Sequence, residues 1–284
     1  MKIAVILVNY NGLRDTLECI ASIKKSSVKT SVFVVDNASS SDEITEIKRV
    51  YPDIISFRCE INTGFAGGNN VAIKKALEDG YDYILLLNND TIIDSNMISC
   101  LLSSADEKTV ALPNMYYYTS PQELWYGGGC VNRFLGKVTH WKKTRFSPFE
   151  VNFMTGCCAL IHKSIFEKIG LLSEEYFMYC EDIDFSIRLS LAGIKMVVQP
   201  QAKLWHKVAK SSPSNGSAFR VYYNTKNRLL LVNKFREYFS VATIPYIKLS
   251  TYLKMVKAMI KKDETFAAFK NGIKDFYEQR NARK

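Results

Sequence analysis

The chain has 284 residues, of which 47% are hydrophobic and 23% are charged, and its formal net charge at pH 7 is +10. These proportions are ordinary for a folded globular protein, so they exclude a disordered, collagen-like or low-complexity chain. No apolar run approaches the roughly 18 residues that a membrane-spanning helix needs, so a transmembrane protein is excluded as well. The apolar run at 3–8 is too short for a secretory signal, and we expect it to form a strand.

Strands and helices are predicted to alternate through the first part of the chain. The pattern predicts strands at 2–8, 31–35, 54–57 and 83–87, and helices at 13–25, 42–50 and 67–77. This order is typical of a parallel sheet with right-handed crossovers, in which ligands bind beyond the carboxyl ends of the strands. Polar clusters follow all four strands, at Asn9-Tyr10-Asn11, Asp36-Asn37, Asn62-Thr63-Gly64 and Asn88-Asn89-Asp90.

The later segments carry shorter patterns. Residues 110–150 combine aromatic residues and glycines with short β-like runs, which predicts antiparallel strands and loops. Strands are predicted at 157–161 and at 195–198, the second closed by Pro200. Helices are predicted at 164–169, 181–192, 217–235, 245–262 and 264–277. The serine-rich segment 207–216 ends in Asn-Gly, so we expect a loop and a domain boundary there.

Positive charge is concentrated in the last third of the chain. Residues 203–284 contain 18 Lys and Arg against 5 Asp and Glu, whereas residues 1–202 contain 20 against 23. The resulting net charges of +13 and −3 indicate a polyanionic partner for the C-terminal segment, or else a solvated lysine-rich face. Nucleic acid is disfavoured as that partner because no aromatic stacking platforms are interleaved with the basic residues.

The predicted helix 245–262 is both basic and amphipathic. Its apolar residues share one face: Leu249, Tyr252, Leu253, Val256, Met259 and Ile260. Four lysines lie on the other face: Lys254, Lys257, Lys261 and Lys262. This pattern predicts either docking on an anionic membrane, which would bring the site to a lipid-linked acceptor, or packing on the catalytic domain with the lysines in water.

Several classes of site are disfavoured by the absence of their motifs. The turn after the first strand, 8–12, lacks the G-x-G-x-x-G of dinucleotide enzymes, and the chain has no Walker loop. Nicotinamide, flavin and P-loop ATP enzymes are therefore disfavoured. The seven cysteines are odd in number and include no C-x-x-C pair, which argues against a zinc site or a disulfide framework and fits a reducing cytoplasm.

Two positions have residue types suited to binding a metal ion. Asp90 follows the most hydrophobic predicted strand, where a carboxylate can hold a divalent cation with open positions for phosphate, or else cap a turn or helix. His206 ends a short β-like run, and by itself it is either a packed histidine or a ligand. His140 and His162 lack such a setting, so we expect them to be structural.

Two adjacent carboxylates, Glu181 and Asp182, are candidates for acid–base chemistry. They open a predicted helix directly after the aromatic run at 176–179. Acidic residues in the first turn of a helix are favoured by the helix dipole, but that preference does not explain this pair after an aromatic run. A carboxylate beside an apolar wall suits the role of a general base.

Seven short motifs occur in order along the chain. They are Val8-Asn-Tyr-Asn-Gly12, Val34-Val-Asp-Asn-Ala-Ser39, Asn62-x-Gly64-Phe-Ala-Gly-Gly-Asn-Asn70, Leu87-Asn-Asn-Asp90, Thr155-Gly156, Glu181-Asp-Ile-Asp-Phe-x-x-Arg188 with Ala192-Gly193, and Pro200 to His206. Each motif is weak by itself, but their order and spacing resemble glycosyltransferase family 2, and within it the bacterial rhamnosyltransferase-like branch. The resemblance covers about residues 1–235.

This resemblance implies an α/β protein of the GT-A fold, with a mostly parallel central sheet flanked by helices and a helical C-terminal extension. The catalytic domain would span 1–210, with a nucleotide-binding half at 1–105 and an acceptor-binding half at 106–210. A basic helical region would follow at 211–284.

The resemblance also implies roles for individual residues. Asp90 stands at the last carboxylate of the family's D-x-D motif and would hold Mg²⁺ or Mn²⁺ together with His206. Asp36 would accept a hydrogen bond from a pyrimidine N3–H, Asp182 would be the catalytic base, and Glu181 would orient the substrate. Further donor or acceptor contacts are implied for Asn9, Tyr10, Asn11, Asn62, Gly67, Asn70, Asn88, Asn89, Thr155 and Gly156. Lys226-Asn227-Arg228 stands where relatives often have Arg-Asn-Arg, which implies a phosphate contact.

The implied reaction transfers a sugar with inversion, L-rhamnose from dTDP-rhamnose, to a hydroxyl of a surface polysaccharide or a lipid-linked saccharide. A UDP-hexose donor stays open, because one carboxylate at the base edge does not separate thymine from uracil. A sugar-phosphate nucleotidyltransferase is disfavoured, because the glycine-rich loop with Arg and Lys after the first strand is absent. A non-catalytic basic scaffold on a membrane is the remaining alternative. We expect a cytoplasmic protein, peripheral at the inner face of the cell membrane, without a nucleic-acid partner.

Overall fold

The computed structural model describes residues 1–143, 145–208 and 217–281. Strands and helices alternate through its first part, as predicted: β1 (Ile3–Asn9), α1 (Leu13–Ile23), β2 (Ser31–Asp36), α2 (Glu43–Val50), β3 (Ile55–Arg58), α3 (Gly64–Glu78) and β4 (Tyr83–Leu87). These four strands pair in parallel in the order β3-β2-β1-β4. The central strands β1 and β4 are almost wholly buried, because helices cover both faces of a parallel sheet. Their carboxyl ends therefore share one edge.

The second part of the chain extends this sheet. Its elements are β5 (Thr91–Ile93), α4 (Met97–Leu102), β6 (Thr109–Tyr117), β7 (Leu124–Tyr126), β8 (Gly129–Asn132), β9 (Lys137–His140), β10 (Phe149–Val151), β11 (Cys158–His162), α5 (Lys163–Ile169), α6 (Glu181–Leu191) and β12 (Lys195–His206). Strand β11 lies antiparallel between β4 and β6, and β6 is parallel to β12. The predicted α/β sheet is therefore confirmed, and it is mixed: β1 to β4 form a parallel block, and β6 and β12 form a further parallel pair among antiparallel neighbours.

Strand β12 is longer than the sequence predicts. Pro200 was expected to close it, and this expectation is wrong, because the strand continues to His206. The pairing with β6 shifts register between Gln199 and Lys203, and such a bulge accommodates a proline that has no N–H to donate to the ladder. The continuation pairs His206 with Thr91 of β5, so it carries the histidine to the residue that follows Asp90.

Three helices form the C-terminal region: α7 (Ser217–Lys234), α8 (Thr243–Ile260) and α9 (Thr265–Asn281). The predicted loop falls largely on residues 209–216, which lie outside the described residues, and the division at 210/211 stays a prediction. Within the described ranges, no helix is both long enough and apolar enough to cross a membrane.

Helix α3 begins at Gly64, three residues before the predicted start at Gly67. Gly64 has a φ of +74°, and a Cβ at this position would overlap the carbonyl oxygen of Phe177. That oxygen accepts a hydrogen bond of 2.9 Å from the backbone N–H of Phe65. The missing side chain thus lets the start of α3 lie directly against the segment that precedes α6.

Replacing Gly64 by alanine should destabilise the fold more than the same change at Gly80. Both glycines have left-handed φ values, +74° and +72°, at which alanine costs about 1–2 kcal/mol. Nothing lies within 4 Å of a Cβ at Gly80, whereas overpacking against Phe177 should add about 1–3 kcal/mol at Gly64. Urea unfolding of the two variants measures the difference, and equal losses would show that the contact with Phe177 is unimportant.

Candidate active site

A buried hydrogen-bond network holds the carboxylate at the end of β2. Asn9 is fully buried, and its Nδ2 donates to Asp36 Oδ1 at 3.0 Å and to Glu43 Oε2 at 2.8 Å. Ser39 Oγ donates to the same Asp36 oxygen at 2.5 Å. On the other side, Asn9 Oδ1 accepts from Thr16 Oγ1 at 2.7 Å. The structure thus places Asn9 beneath Asp36 as its support, because the amide is occupied on every side by protein groups.

The second oxygen of Asp36 is buried beside residues that line a pocket. No hydrogen-bond donor in the described part of the chain reaches Asp36 Oδ2, although the atom is buried, and Arg58 Nε stands 3.6 Å away. The pocket is lined by Ala38, Ser39, Arg58, Cys59 and Glu60. An unpaired buried acceptor is costly unless a ligand donor meets it. This corner is therefore suited to binding a group with an N–H, such as the N3–H of a pyrimidine.

The remaining predicted nucleotide contacts fall into two groups. Tyr10 and Asn11 are exposed at the edge, and Asn11 Oδ1 accepts from the Ser40 N–H and hydroxyl at 2.9 and 2.8 Å. Asn70, by contrast, is 2% exposed and donates to the Leu172 carbonyl at 2.9 Å. Asn70 therefore joins α3 to the loop before α6, where it supports the edge from within.

Asn62 and Gly67 make contacts within the protein around the start of α3. Asn62 Oδ1 accepts from Asn37 Nδ2 at 3.0 Å and from the Gly64 N–H at 2.9 Å. Gly67 is buried in the first turns of α3, where a Cβ would lie 2.6 Å from Thr63 Cβ. Both residues stand at the predicted edge, and the structure gives them packing and loop-forming contacts there.

Asp90 and His206 form a buried pair at the next part of the edge. Their side chains are almost completely enclosed, and His206 Nε2 lies 3.1 Å from Asp90 Oδ1. Burial opposes the charged imidazole, but the Cys157 sulfur and the Asp90 carboxylate beside the ring raise the pKa of His206 above its ordinary value. Burial in turn raises the pKa of the Cys157 thiol, and the nearby imidazole opposes that rise. The structure thus brings together the two residues predicted from separate segments.

The donor set of this pair fits a divalent cation that also binds phosphate. A carboxylate oxygen and an imidazole nitrogen are ligands that Mn²⁺ and Mg²⁺ accept, and Mg²⁺ sites commonly use one or two carboxylates with substrate phosphates. Among the described residues, no three His, Cys, Asp or Glu side chains converge on one metal position. Any cation at Asp90 and His206 would therefore need further oxygen ligands from its substrate or from water.

Asn88 and Asn89 connect this pair to neighbouring strands. The Asn88 N–H donates to the Cys157 carbonyl at 2.8 Å, and Asn89 Nδ2 donates to Thr16 Oγ1 at 2.8 Å. Thr16 in turn bonds Asn9. One chain of hydrogen bonds therefore runs from the end of β4 to the end of β1, where Asp36 is held.

Asp182 and Glu181 lie at the start of α6, next to the segment that leads into β11. The Gly156 N–H donates to Asp182 Oδ2 at 3.3 Å, and the Ile183 N–H donates to Asp182 Oδ1 at 2.8 Å. Burial raises the pKa of Asp182 to about 6. Burial, reinforced by the charge of Asp182, raises the pKa of Glu181 well above its ordinary value. Burial therefore favours the protonated form of Glu181, whereas Asp182, with a pKa of about 6, can accept a proton at neutral pH.

Residues 155–157 join the two ends of the site. Gly156 bonds Asp182, while the next residue, Cys157, bonds Asn88 and lies beside His206. Thr155 is buried and its Oγ1 accepts from the Cys157 N–H at 3.4 Å. A pair suited to a cation and a carboxylate suited to proton transfer are thus held on either side of a three-residue segment.

An aromatic wall that the sequence analysis missed closes one side. The ring centres of Trp125 and His206 are 4.6 Å apart, and that of His140 is 5.3 Å from Trp125 and 5.6 Å from Phe153. His140, expected to be structural, therefore belongs to the surroundings of the site. The sequence signal was the aromatic density of 110–150, but only strand pairing shows which rings reach His206.

Two further basic side chains were missed. Lys207 has a side chain only 3% exposed, and its ammonium contacts Asp15 at 2.7 Å and Glu18 at 2.5 Å. These ion pairs anchor the end of β12 to α1, directly after His206. Arg58, beside Asp36, is the last residue of β3 and lies one position beyond the strand predicted at 54–57. Neither contact has a local signal, because the partners come from distant segments.

Residues 226–228, where the family resemblance implies a phosphate contact, make contacts with neighbouring protein groups. Arg228 donates to the carbonyls of Gly136 and Leu135 at 3.1 and 3.0 Å. Asn227 is fully buried and bonds backbone carbonyls, and Lys226 lies over the Tyr223 ring at 5.6 Å. Protein carbonyls occupy both amide hydrogens of Asn227 but only two of the five N–H donors of Arg228, so the phosphate contact implied there stays a prediction.

Known proteins resemble this chain in sequence and in fold. Residues 4–170 match the family described as "Glycosyl transferase family 2". The chain is 29% identical over 244 residues to the low-salt glycan biosynthesis hexosyltransferase Agl10 of Haloferax volcanii, a match that covers 81% of this chain and 75% of that protein. It is 24% identical to the dTDP-rhamnosyl transferase RfbF of Shigella flexneri, over 82% of this chain and 80% of that protein.

The name of another relative includes a lipid-linked saccharide. The N-acetylglucosaminyl-diphospho-decaprenol L-rhamnosyltransferase of Mycobacterium tuberculosis is 24% identical, over 81% of this chain and 84% of that protein. Among solved structures, GalNAc-T7 with UDP, GalNAc and Mn²⁺ superposes with a TM-score of 0.67 at 16% identity. That match covers 84% of this chain but only 49% of GalNAc-T7, and it shows the shared GT-A fold.

Proposed function

We propose that this chain, which belongs to glycosyl transferase family 2, moves L-rhamnose from dTDP-rhamnose to a hydroxyl of a saccharide acceptor. Its relatives are glycosyltransferases, both hexosyl- and rhamnosyltransferases. The observation that carries the proposal is the segment 155–157, which bonds Asp182 on one side and lies beside His206 on the other. The donor diphosphate would bind near His206 and the acceptor hydroxyl near Asp182. The sugar to be transferred would then lie between them, beside this segment.

The nucleotide would bind at the edge formed by β1 and β2. Asp36 Oδ2 would accept the pyrimidine N3–H, since this buried oxygen has no hydrogen-bond donor within the described residues. Tyr10 and Asn11 stand exposed at the same edge, where they would contact the nucleotide. The choice of thymine rests on the rhamnosyltransferase relatives, and a UDP-hexose is the second candidate because uracil presents the same N3–H.

The diphosphate would lie against Asp90 and His206. When bound there, a divalent cation would supply positive charge that stabilises the departing diphosphate. The protein's own part is to hold the carboxylate directly before β5 and the imidazole at the end of β12, the strand paired with β5, while Lys207 anchors β12 to α1. Asn88 and Asn89 would border the phosphates from the same edge.

Asp182 would act as the base for the acceptor. Its carboxylate would take the proton of the acceptor hydroxyl while that oxygen bonds the anomeric carbon and the bond to the diphosphate breaks. The diphosphate leaves with the bonding electron pair, so a single displacement inverts the anomeric carbon. Glu181, whose protonated form is favoured by burial, would donate a hydrogen bond to a sugar oxygen, and Thr155 and Gly156 would face the sugar.

We also propose that α8 docks on an anionic membrane and presents a lipid-linked saccharide to the site. The helix packs on the protein through its buried face, which contains Thr243, Ile247, Thr251 and Ala258. Its bulky apolar face points away, with Leu249, Leu253 and Ile260 exposed by 60%, 58% and 74%. Lysines flank this face, so its charge complements anionic lipids, and such helices lie in the membrane interface.

Pyrimidine nucleotides should stabilise the protein against heating, and divalent cations should increase the effect. A ligand that binds only the folded state raises the melting temperature by mass action. In Asp36→Asn the loss of a charged acceptor should weaken dTDP at least about tenfold, since such hydrogen bonds contribute about 1.5–3 kcal/mol. Thermal shift with dTDP, UDP and GDP, with and without Mn²⁺, measures this, and Asp53→Asn, an exposed carboxylate, is the control.

An equal shift with GDP and dTDP, or an unchanged dTDP affinity in Asp36→Asn, would contradict this base site. The ratio of the dTDP and UDP affinities separates the two donor candidates.

Turnover should fall as the pH drops through about 6, the pKa to which burial raises Asp182. The base is active only when deprotonated, so the rate rises with pH across this value and reaches a plateau above it. Asp182→Asn should lower kcat by about 10²–10⁴. Glu181→Gln should lose much less, because an amide can donate a hydrogen bond as the protonated carboxyl favoured by burial does. Initial rates of nucleotide release from pH 5 to 8 test this, and an active Asp182→Asn enzyme would overturn the assignment.

Vesicle binding should depend on the apolar face of α8. The full chain should co-sediment with vesicles of phosphatidylglycerol and phosphatidylcholine, and less with phosphatidylcholine alone. Leu249→Ser with Leu253→Ser should weaken binding at least about tenfold, since burying one leucine contributes about 1.5–3 kcal/mol. Leu191→Ser is the matched control, because Leu191 is 62% exposed on α6.

Equal loss in the Leu191 variant would argue against this surface. A dimer without vesicles that the double variant abolishes would instead assign the face to a second copy of the chain.

A further inference from the structure

The turn before α6 has an unusual backbone. Tyr179 and Cys180 are consecutive and have left-handed φ values of 68° and 77°. Such a conformation costs a non-glycine residue about 1–3 kcal/mol and persists only where its surroundings hold it. Helix α6 begins at the next residue, so this turn sets the direction in which Glu181 and Asp182 enter the site.

A single side chain of α7 holds the turn. Asn227 is fully buried, and its Nδ2 donates to the Met178 carbonyl at 2.8 Å and to the Tyr179 carbonyl at 3.0 Å. The Tyr179 carbonyl belongs to the peptide that links the two left-handed residues. Both amide hydrogens of Asn227 are therefore used to fix two successive peptide planes.

The same stripe of α7 contacts both sides of the carboxylate pair. One turn before Asn227, the Tyr223 ring stacks on Phe177 with ring centres 5.3 Å apart. Two turns after it, Lys234 Nζ donates to Asp184 Oδ2 at 2.6 Å in the first turn of α6. Residues spaced by four and seven lie on one face of a helix. Helix α7 thus contacts the chain on both sides of Glu181 and Asp182, at Phe177 and at Asp184.

The buried Asn227 side chain has an energetic cost. Its Oδ1 is buried and has no hydrogen-bond partner among the described residues, and an unsatisfied buried acceptor costs about 1–3 kcal/mol. An apolar residue would avoid that cost, but it would leave the Met178 and Tyr179 carbonyls without a donor. The two hydrogen bonds that Asn227 donates therefore explain why an asparagine stands here despite its unsatisfied oxygen.

We propose that Asn227 is a positioning residue for Asp182, acting through the left-handed turn at 178–180. The inference rests on the proposed role of Asp182 as the base. It makes α7 a part of the catalytic apparatus, although α7 lies beyond the residues that match the family. A fully formed α7 would therefore be required for proton transfer rather than for nucleotide binding.

The test is Asn227→Asp, which keeps the size of the side chain but turns a carboxylate oxygen towards two carbonyl oxygens. We expect kcat to fall about tenfold to a hundredfold, because small displacements of a reacting group have effects of that order. The donor KM and the dTDP-induced thermal shift should stay within twofold. Asn224→Asp makes the same change on the exposed side of α7, and it should change none of these quantities.

A second variant keeps the inference testable if Asn227→Asp does not fold. In Asn227→Ala the turn loses its donor, and adding Cys180→Gly removes the Cβ that disfavours the left-handed φ. The added glycine should recover at least about fivefold of the lost kcat, because it lowers the cost of holding the turn. A purely structural role would give no such rescue.

Unchanged kcat in Asn227→Asp, or a loss shared equally by kcat and nucleotide binding, would overturn the positioning role. Absence of rescue by Cys180→Gly would also overturn it. An active Asp182→Asn enzyme is a different result, because it would remove the proposed base while leaving the hydrogen bonds of Asn227 intact.

Discussion

The antiparallel pairing of β11 with β4 is the constraint on which the site depends. It sets the register Cys158 to Leu87, so the residues before β11 run past the end of β4. Gly156 and Cys157 are thereby placed between Asp182 and Asn88. The pairing of β12 with β5 acts similarly by carrying His206 to Asp90. Backbone ladders, rather than attraction between side chains, thus bring these polar groups together in a buried place where they would be costly if alone.

Asparagine side chains connect the loops of this edge because an amide both donates and accepts. Asn9 ties β1 to Asp36 and Glu43. Asn37 donates to the Gly64 carbonyl and accepts from the Thr63 N–H, each at 3.0 Å. A carboxylate in either place would have no donors for these acceptors. Much of the amide-rich motif therefore supports the ligand edge from beneath, and neighbours of Asp36 such as Ser39 and Arg58 line the pocket.

The C-terminal helices face two environments. Helix α7 turns Asn227 and Lys234 towards the residues around Asp182, and Arg228 holds the turn at 135–136. Helix α8 instead buries one face against the protein and leaves most of its large apolar residues exposed to solvent. The net positive charge of this region thus has no single role, because its buried cations pair with carbonyls and carboxylates whereas the lysines of α8 lie in solvent.

The alternating pattern of the first ninety residues determined the parallel strands and their polar ends, because burial on both faces demands continuous apolar runs. The sequence also singled out Asp36, Asp90, Asp182 and His206, since each ends a strand or opens a helix. It could not show that β12 passes Pro200, that Trp125 meets His206, or that Asn227 holds the turn before Glu181. Those contacts join segments far apart in the chain, and no local periodicity records which distant partner a side chain meets. Only the tertiary structure decided them, because strand register and helix packing choose the neighbours.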